Sequence, residues 1–143
     1  MAGIHFFTED ISFRLKHRIK IKRWIKQAIA DESFKLQEIN FIFCSDEYLL
    51  QINNQYLQHD YYTDIITFDN SEKDSSILGD IFISIDRITD NASQLTIPFE
   101  QELHRVIIHG VLHLLGYKDK NKVDKAQMTA KEDAYLSILS LNN

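Results

Sequence analysis

The sequence predicts an α+β fold, a small mixed sheet of about four strands packed with several helices. Three observations predict it. Short runs rich in β-branched and aromatic residues occur at Ile39–Cys44, Asp64–Phe68 and Leu78–Ile85. Other stretches carry apolar residues at helical spacing, at positions 21, 24, 25, 28 and 29, or are apolar nearly all round, as from Val106 to Leu115. The chain is 143 residues long, the usual size of one domain with one hydrophobic core, so residues 1–143 are read as a single unit.

The elements follow in order. Ile4 to Phe7 reads as a first short strand. A basic stretch then runs into a helix whose apolar positions give it one buried face. Ile39 to Cys44 suits a buried strand. Ser45 is placed as the N-cap of a helix over Asp46–Leu57, with Asp46 and Glu47 favourable in its first turn. Asp64 to Phe68, DIITF, reads as a strand, and the polar run at residues 70 to 76 as a surface turn. Leu78 to Ile85 is another strand, and Arg87 to Leu95 a short helix. Pro98 opens a long helix that ends near Gly116. Proline fits the first turn because its missing N–H had no partner there. Glu100 and Glu102 favour that end of the helix dipole, and Gly116 suits a left-handed C-terminal cap. The last helix covers Lys122 to Leu139.

Composition narrows the class. With 44% hydrophobic and 26% charged residues, the balance is globular and argues against disorder. Only 4 glycines and 1 proline leave no segment that reads as a flexible linker. No apolar run approaches the ~18 residues of a membrane span, and MAGIHFFTED lacks the pattern of a signal peptide. The single cysteine, Cys44, lies in an apolar run and reads as a buried, inert thiol. Together these features set the expectation of a reducing, cytoplasmic environment. The net charge of −5 hides an asymmetry: residues 14 to 26, RLKHRIKIKRWIK, hold seven of the sixteen lysines and arginines and no acid. An acidic protein can present one cationic face to a polyanion, and Lys16, Arg18 and Lys20 are the candidates for it here.

The informative segment is His109-Gly110-Val111-Leu112-His113-Leu114-Leu115-Gly116-Tyr117-Lys118-Asp119. Two histidines four apart share one helix face, so both imidazoles can meet one ion. Gly116 ends the helix, and Asp119, three residues on, can return to the same ion. A core helix with two hydrogen-bonded histidines is the plainer reading. Yet neighbouring imidazoles on so apolar a helix need partners for their ring nitrogens, and a metal supplies one. His104 is rotated well away from that face and reads as a surface or core histidine. Two nitrogens and one carboxylate leave a fourth position open, the mark of a catalytic zinc site, with one ion per chain. Other divalent metals also suit this donor set. Asp119 leaves the site with a net charge of about +1, where a third histidine would leave about +2. Lys118, Lys120, Lys122 and Lys125 follow directly, so cations are expected beside the ion, where a phosphate would sit.

At these residues the chain resembles the YbeY family of bacterial ribosomal-RNA maturation factors. HGVLHLLGY, His109 to Tyr117, resembles the family's signature helix. TDIITF, Thr63 to Phe68, resembles its T-D-V-L-S-F segment, and LGDI, Leu78 to Ile81, its G-D-I strand. The three occur in the family's order and spacing, and the resemblance covers most of the chain. The resemblance implies a zinc-dependent endoribonuclease acting on single-stranded ribosomal RNA, with the ribosome or ribosomal proteins as partners. There are two departures. Lys118-Asp119 stand where the family usually has Asp-His, so a carboxylate replaces the third histidine ligand. Leu57 stands where the family usually carries a catalytic arginine after the tyrosine of Asn53-Asn54-Gln55-Tyr56; His59 and the four lysines are candidates to help hold a phosphate.

The motif also resembles the zincin helix of metzincin proteases, which carry Glu after the first histidine; here that residue is Gly110. Two other readings therefore stand beside the endoribonuclease. One is a metallopeptidase, and the other is an RNA- or ribosome-binding factor with a mainly structural zinc. The general base stays open, because Asp64 and Asp80 lie in the motif segments but acids beside strands commonly serve as caps or structural acceptors.

Overall fold

In the computed structural model, which describes residues 3–141, the strand-forming and helix-forming stretches fold into a four-stranded sheet and five helices. In chain order these are β1 (Gly3–Thr8), α1 (Arg18–Asp31), β2 (Lys35–Cys44), α2 (Asp46–Leu57), β3 (Ile65–Asp69), β4 (Ser76–Ser84), α3 (Ile85–Leu95), α4 (Phe99–Leu114) and α5 (Lys122–Leu141). The sheet order is β1-β2-β4-β3. β1, β2 and β4 run parallel, and β3 pairs antiparallel with β4. Parallel neighbours need crossovers, which α1 supplies between β1 and β2 and α2 with β3 supplies between β2 and β4. The mixed α+β architecture read from the sequence is the one observed.

Side chains alternate across the sheet. Ile39, Phe41, Ile81 and Ile83 join the main core with Ile21, Trp24, Ile25, Ala28 and Ile29 of α1 and the apolar length of α4. On the other face Leu49 of α2 packs with Ile66 and Cys44, as does the partly buried Phe82. No described helix is long and apolar enough to cross a membrane. Cys44 is fully buried and its thiol is pushed up to about 12 by burial and by nearby carboxylates, which makes it inert as expected.

Several boundaries differ from the sequence reading. β2 begins at Lys35, not Ile39, because Lys35 and Leu36 pair with Ser76 and Ile77 although alternate positions face solvent. β4 likewise starts at Ser76 and stops at Ser84, whose side chain accepts from the Arg87 N–H and so starts α3 at Ile85. Ser45 caps α2 as read, accepting from the Tyr48 N–H at 3.1 Å. Pro98 is not inside the first turn: its ψ of 145° is extended, and it occupies the N-cap position before Phe99. α4 closes at Leu114. Tyr117 N–H then bonds the Leu112 carbonyl and Gly116 N–H the His113 carbonyl, both at 3.0 Å, with Gly116 at φ 100°. This Schellman closure needs a positive φ, which glycine adopts without strain.

The chain after that cap is pinned by a half-buried carboxylate. Glu32, at the end of α1, accepts from the Tyr117 and Tyr135 hydroxyls at 2.6 Å each and from Lys131 at 3.0 Å. One side chain thus ties α1 to α5 and to the loop that carries Asp119. Burial pushes the Glu32 carboxyl up, but the three hydrogen bonds and the lysine's charge outweigh it and hold the group below its ordinary 4.5. A depressed native pKa stabilises the fold above the unfolded value and stops doing so as pH falls through the native one. Glu32→Gln should therefore lower stability by about 1–3 kcal/mol at pH 7. In thermal unfolding scans the gap to wild type should narrow below pH 4.5, the unfolded value. A gap that stays constant as the pH falls well below 4.5 would show that the charge is irrelevant.

Candidate metal centre

α4 places His109 and His113 on successive turns, and the loop after Gly116 returns Asp119 to them. His109 Nε2 and His113 Nε2 lie 3.0 Å apart, and Asp119 Oδ2 lies 3.3 Å from the first and 3.4 Å from the second. The other ring nitrogens are already committed. His113 Nδ1 lies 3.0 Å from the Tyr117 carbonyl, which can only accept, so this nitrogen carries a proton. His109 Nδ1 lies 2.6 Å from the Glu132 carboxylate and donates to it. In the neutral imidazoles both Nε2 atoms are then lone pairs. Two lone pairs and a carboxylate oxygen facing one another repel, unless a cation lies between them. Metal–ligand bonds of ~2.0–2.1 Å at tetrahedral angles would put the ligand atoms ~3.3 Å apart, which matches the triangle. The three residues read from the sequence are brought together, and they fit a divalent metal.

Glu132 of α5 is a functional residue the sequence reading missed. It is only 6% exposed and is neutralised by Arg105, whose Nη1 lies 2.7 Å from its other oxygen. Arg105 also pairs with Asp133 at 2.7 Å. A carboxylate on the far nitrogen fixes the tautomer and ring orientation of a ligating histidine and raises its basicity. Burial opposes the charged form of His109, but Glu132 and Asp119 outweigh it and its pKa is raised. His113, buried beside His109, is lowered. Glu132 lies 23 residues beyond His109, and no local spacing rule could have linked them.

The triad lines a cleft of about 600 Å³ with Asn53, Leu57, His59, Tyr61, Asp64 and Lys120. Leu57, at the place of the family's arginine, is thus beside the metal residues, as is His59. Asp64 accepts from Asn91 Nδ2 at 3.3 Å, and burial raises its carboxyl despite the charge of His109. Asp80 is elsewhere and accepts from Asn40, a structural role. Of the four lysines expected beside the ion, Lys120 lines the cleft, while Lys118, Lys122 and Lys125 are exposed outside it. Lys122 and Lys125 lie in the first turn of α5, which faces solvent. Lys16 and Lys20 line a second groove with His17, His104, Arg105, Glu100 and Asp133. Arg18 lies on a shallower surface next to it. His104 is there as expected, edge-on to Trp24 and away from the triad.

Glu132→Gln is isosteric but removes the charge behind His109. Divalent metal affinity, read from the visible absorption of titrated Co²⁺, should fall about 10- to 100-fold with the fold intact by circular dichroism. Unchanged affinity would assign Glu132 to packing alone.

Comparison with known proteins agrees with this geometry. The family described as Endoribonuclease YbeY matches residues 4–140. The Endoribonuclease YbeY of Cytophaga hutchinsonii is 56% identical over 135 residues, covering 94% of both chains. That of Porphyromonas gingivalis is 49% identical over 140 residues, covering 97% of this chain and 91% of its own. A solution structure from Thermotoga maritima superposes with a TM-score of 0.68 at 28% identity, over 95% of this chain and 88% of the other. The resemblance first carried by three short motifs holds over nearly the whole length, and the chain belongs to the YbeY endoribonuclease family.

Proposed function

We propose that this protein is a zinc-dependent, single-strand-specific endoribonuclease of ribosomal RNA processing and ribosome maturation, working in the cytoplasm with one zinc per chain. The observation that carries the reading is the convergence of His109 Nε2, His113 Nε2 and Asp119 Oδ2 within 3.0–3.4 Å in an open cleft. The relatives' shared description supplies RNA as the substrate. When bound, zinc supplies Lewis-acid polarisation of a phosphoryl oxygen and acidifies an attacking hydroxyl or water.

The chain's own residues do the rest. Glu132 and the Tyr117 carbonyl hold the two imidazoles in the ligating tautomer. Lys120 lines the cleft and offers a cation to the RNA backbone, a contact that fixes position without reading sequence. Asp64, which lines the same cleft and accepts from Asn91, is the candidate proton acceptor in this proposal. Leu57 withholds the charge partner expected from the family, and losing such a partner commonly costs ~10²-fold or more, so turnover should be slow. The peptidase reading loses support at Gly110: a Cβ there would lie 2.8 Å from Ile65 Cδ1, so that position faces the sheet and not the cleft.

The basic face is a second part of the proposal. α1 opens with no acid in its first turn, which places Arg18 and Lys20 at the positive end of the helix dipole. That arrangement is unfavourable by itself and relieved by an anion. Glu100 and Asp133 share the neighbouring groove and confine the effect to the α1 side.

Labelled single-stranded RNA should be cut slowly by wild type and not by His113→Ala purified identically, and chelator should abolish the difference. Equal cutting by both proteins, or none by zinc-loaded wild type, would favour the ribosome-binding reading. Reversing Lys16, Arg18 and Lys20 to Glu should weaken RNA binding and flatten its dependence on salt. An unchanged salt slope would return this stretch to an ordinary solvated surface.

A further inference from the structure

The cleft carries two aromatic rings that the metal chemistry does not use. His59 and Tyr61, from the loop between α2 and β3, both line it beside the triad. Their rings stack on each other, with centroids 5.1 Å apart and planes 23° apart. The Tyr61 hydroxyl also lies 3.0 Å from His59 Nδ1. The pair is not part of the core, for Tyr61 is 56% exposed.

Exposed rings on a mobile loop would mean little, but this loop is fixed from beneath. Asn53, 1% exposed, donates from Nδ2 to the Tyr61 carbonyl at 2.9 Å. Its own carbonyl accepts the His59 N–H at 3.2 Å. Both ring-bearing residues are therefore anchored through their backbone to one buried residue near the end of α2, Tyr61 by the Asn53 side chain and His59 by the Asn53 main-chain carbonyl. Leu57, 42% exposed, extends the same wall with an apolar group. The wall next to the metal residues is thus aromatic and apolar where a phosphate-binding wall would be cationic. The cleft, at about 600 Å³, exceeds what a metal and its immediate ligands fill.

We propose that the outer face of the His59–Tyr61 stack is a nucleobase subsite, on which one unpaired base of the RNA stacks while its backbone passes the metal residues. The inference rests on the RNA reading above and adds to it the group that holds the substrate. A flat π-face accepts any base, so the subsite gives little sequence preference. A base engaged in a duplex cannot present its face to the stack, so the subsite selects single strands. With Leu57 beside it, the wall binds through the base what the family's arginine would bind through the phosphate.

Binding can be read apart from cleavage. Fluorescence anisotropy with a labelled single-stranded oligoribonucleotide in chelator keeps the RNA intact. Tyr61→Ala should weaken binding about 5- to 100-fold, the range for one stacked base. Tyr61→Phe should stay within about 3-fold, since the ring remains. An oligonucleotide of abasic residues should bind wild type and Tyr61→Ala equally. The Tyr61 side chain is exposed and the anchoring contacts are to backbone, so these variants keep the fold. Wild-type affinity in Tyr61→Ala, or the same loss on abasic RNA, overturns the subsite. If wild type cleaves RNA and Tyr61→Ala binds normally, only the subsite fails. If the stacking loss appears without metal-dependent cleavage, the subsite stands and the nuclease reading fails. No RNA binding by wild type in chelator overturns the subsite, and cleavage by the zinc-loaded protein then decides the nuclease reading by itself.

Discussion

Helix α4 rests directly on the sheet, and the rest of the structure depends on that close seat. At Gly110 an added Cβ would lie 2.8 Å from Ile65 and 3.0 Å from Ile81. At Gly79, on β4 below the end of the helix, it would lie 2.6 Å from the Phe68 carbonyl and 2.9 Å from Leu114. Two positions without side chains let the backbone of α4 approach the strands more closely than any larger residue would allow. With Gly110 turned to the sheet, its neighbour His109 and the next-turn His113 are directed into the cleft. The helix is buried along most of its length, so the direction of those imidazoles is set by packing and not by solvent.

The donor set then follows from where α4 ends. The Schellman closure at Gly116 reverses the chain within a few residues, and Glu32 fixes Tyr117 from the far side of the loop. Asp119 is thereby returned to the last turn of α4, where the dipole favours a cation. From α5, Glu132 sets the proton of His109 and is itself neutralised by Arg105. Three segments of chain therefore converge on one point with their hydrogen bonds already assigned. Little reorganisation is left for a metal to impose, which is the physical content of preorganisation at such a site.

Two side chains of the cleft act in the same direction. Asp119 brings a negative charge to the two imidazoles, and Leu57 gives the neighbouring wall an apolar group. Among the lysines, Lys120 lines the cleft. The densest cationic run, seven of the sixteen lysines and arginines, lies on α1 and just before it, away from the cleft. The metal residues and the cationic run are separated on this molecule, with aromatic rings at His59 and Tyr61 filling part of the wall between the metal residues and solvent.

The sequence by itself determined what depends on local order. The α+β alternation, the cap at Ser45, the glycine reversal after α4 and the pairing of His109 with His113 all arise from neighbours within about a turn, where propensity and periodicity act. Asp119 was legible because Gly116 has few ways to end a helix. The polar starts of β2 and β4 were not legible, since partner strands and not their own apolar residues hold them in the sheet. Nor were Glu132, Arg105, Glu32 or the anchoring of Tyr61 by Asn53. Each of these is a polar contact between distant segments, decided by which helix faces pack together. The lysines around Asp119 show the same division: they lie within eight residues of one another, but of the four only Lys120 lines the cleft. Tertiary packing alone decided those directions, because a side chain's hydrogen-bond partner is fixed by position in space and leaves no period in the sequence.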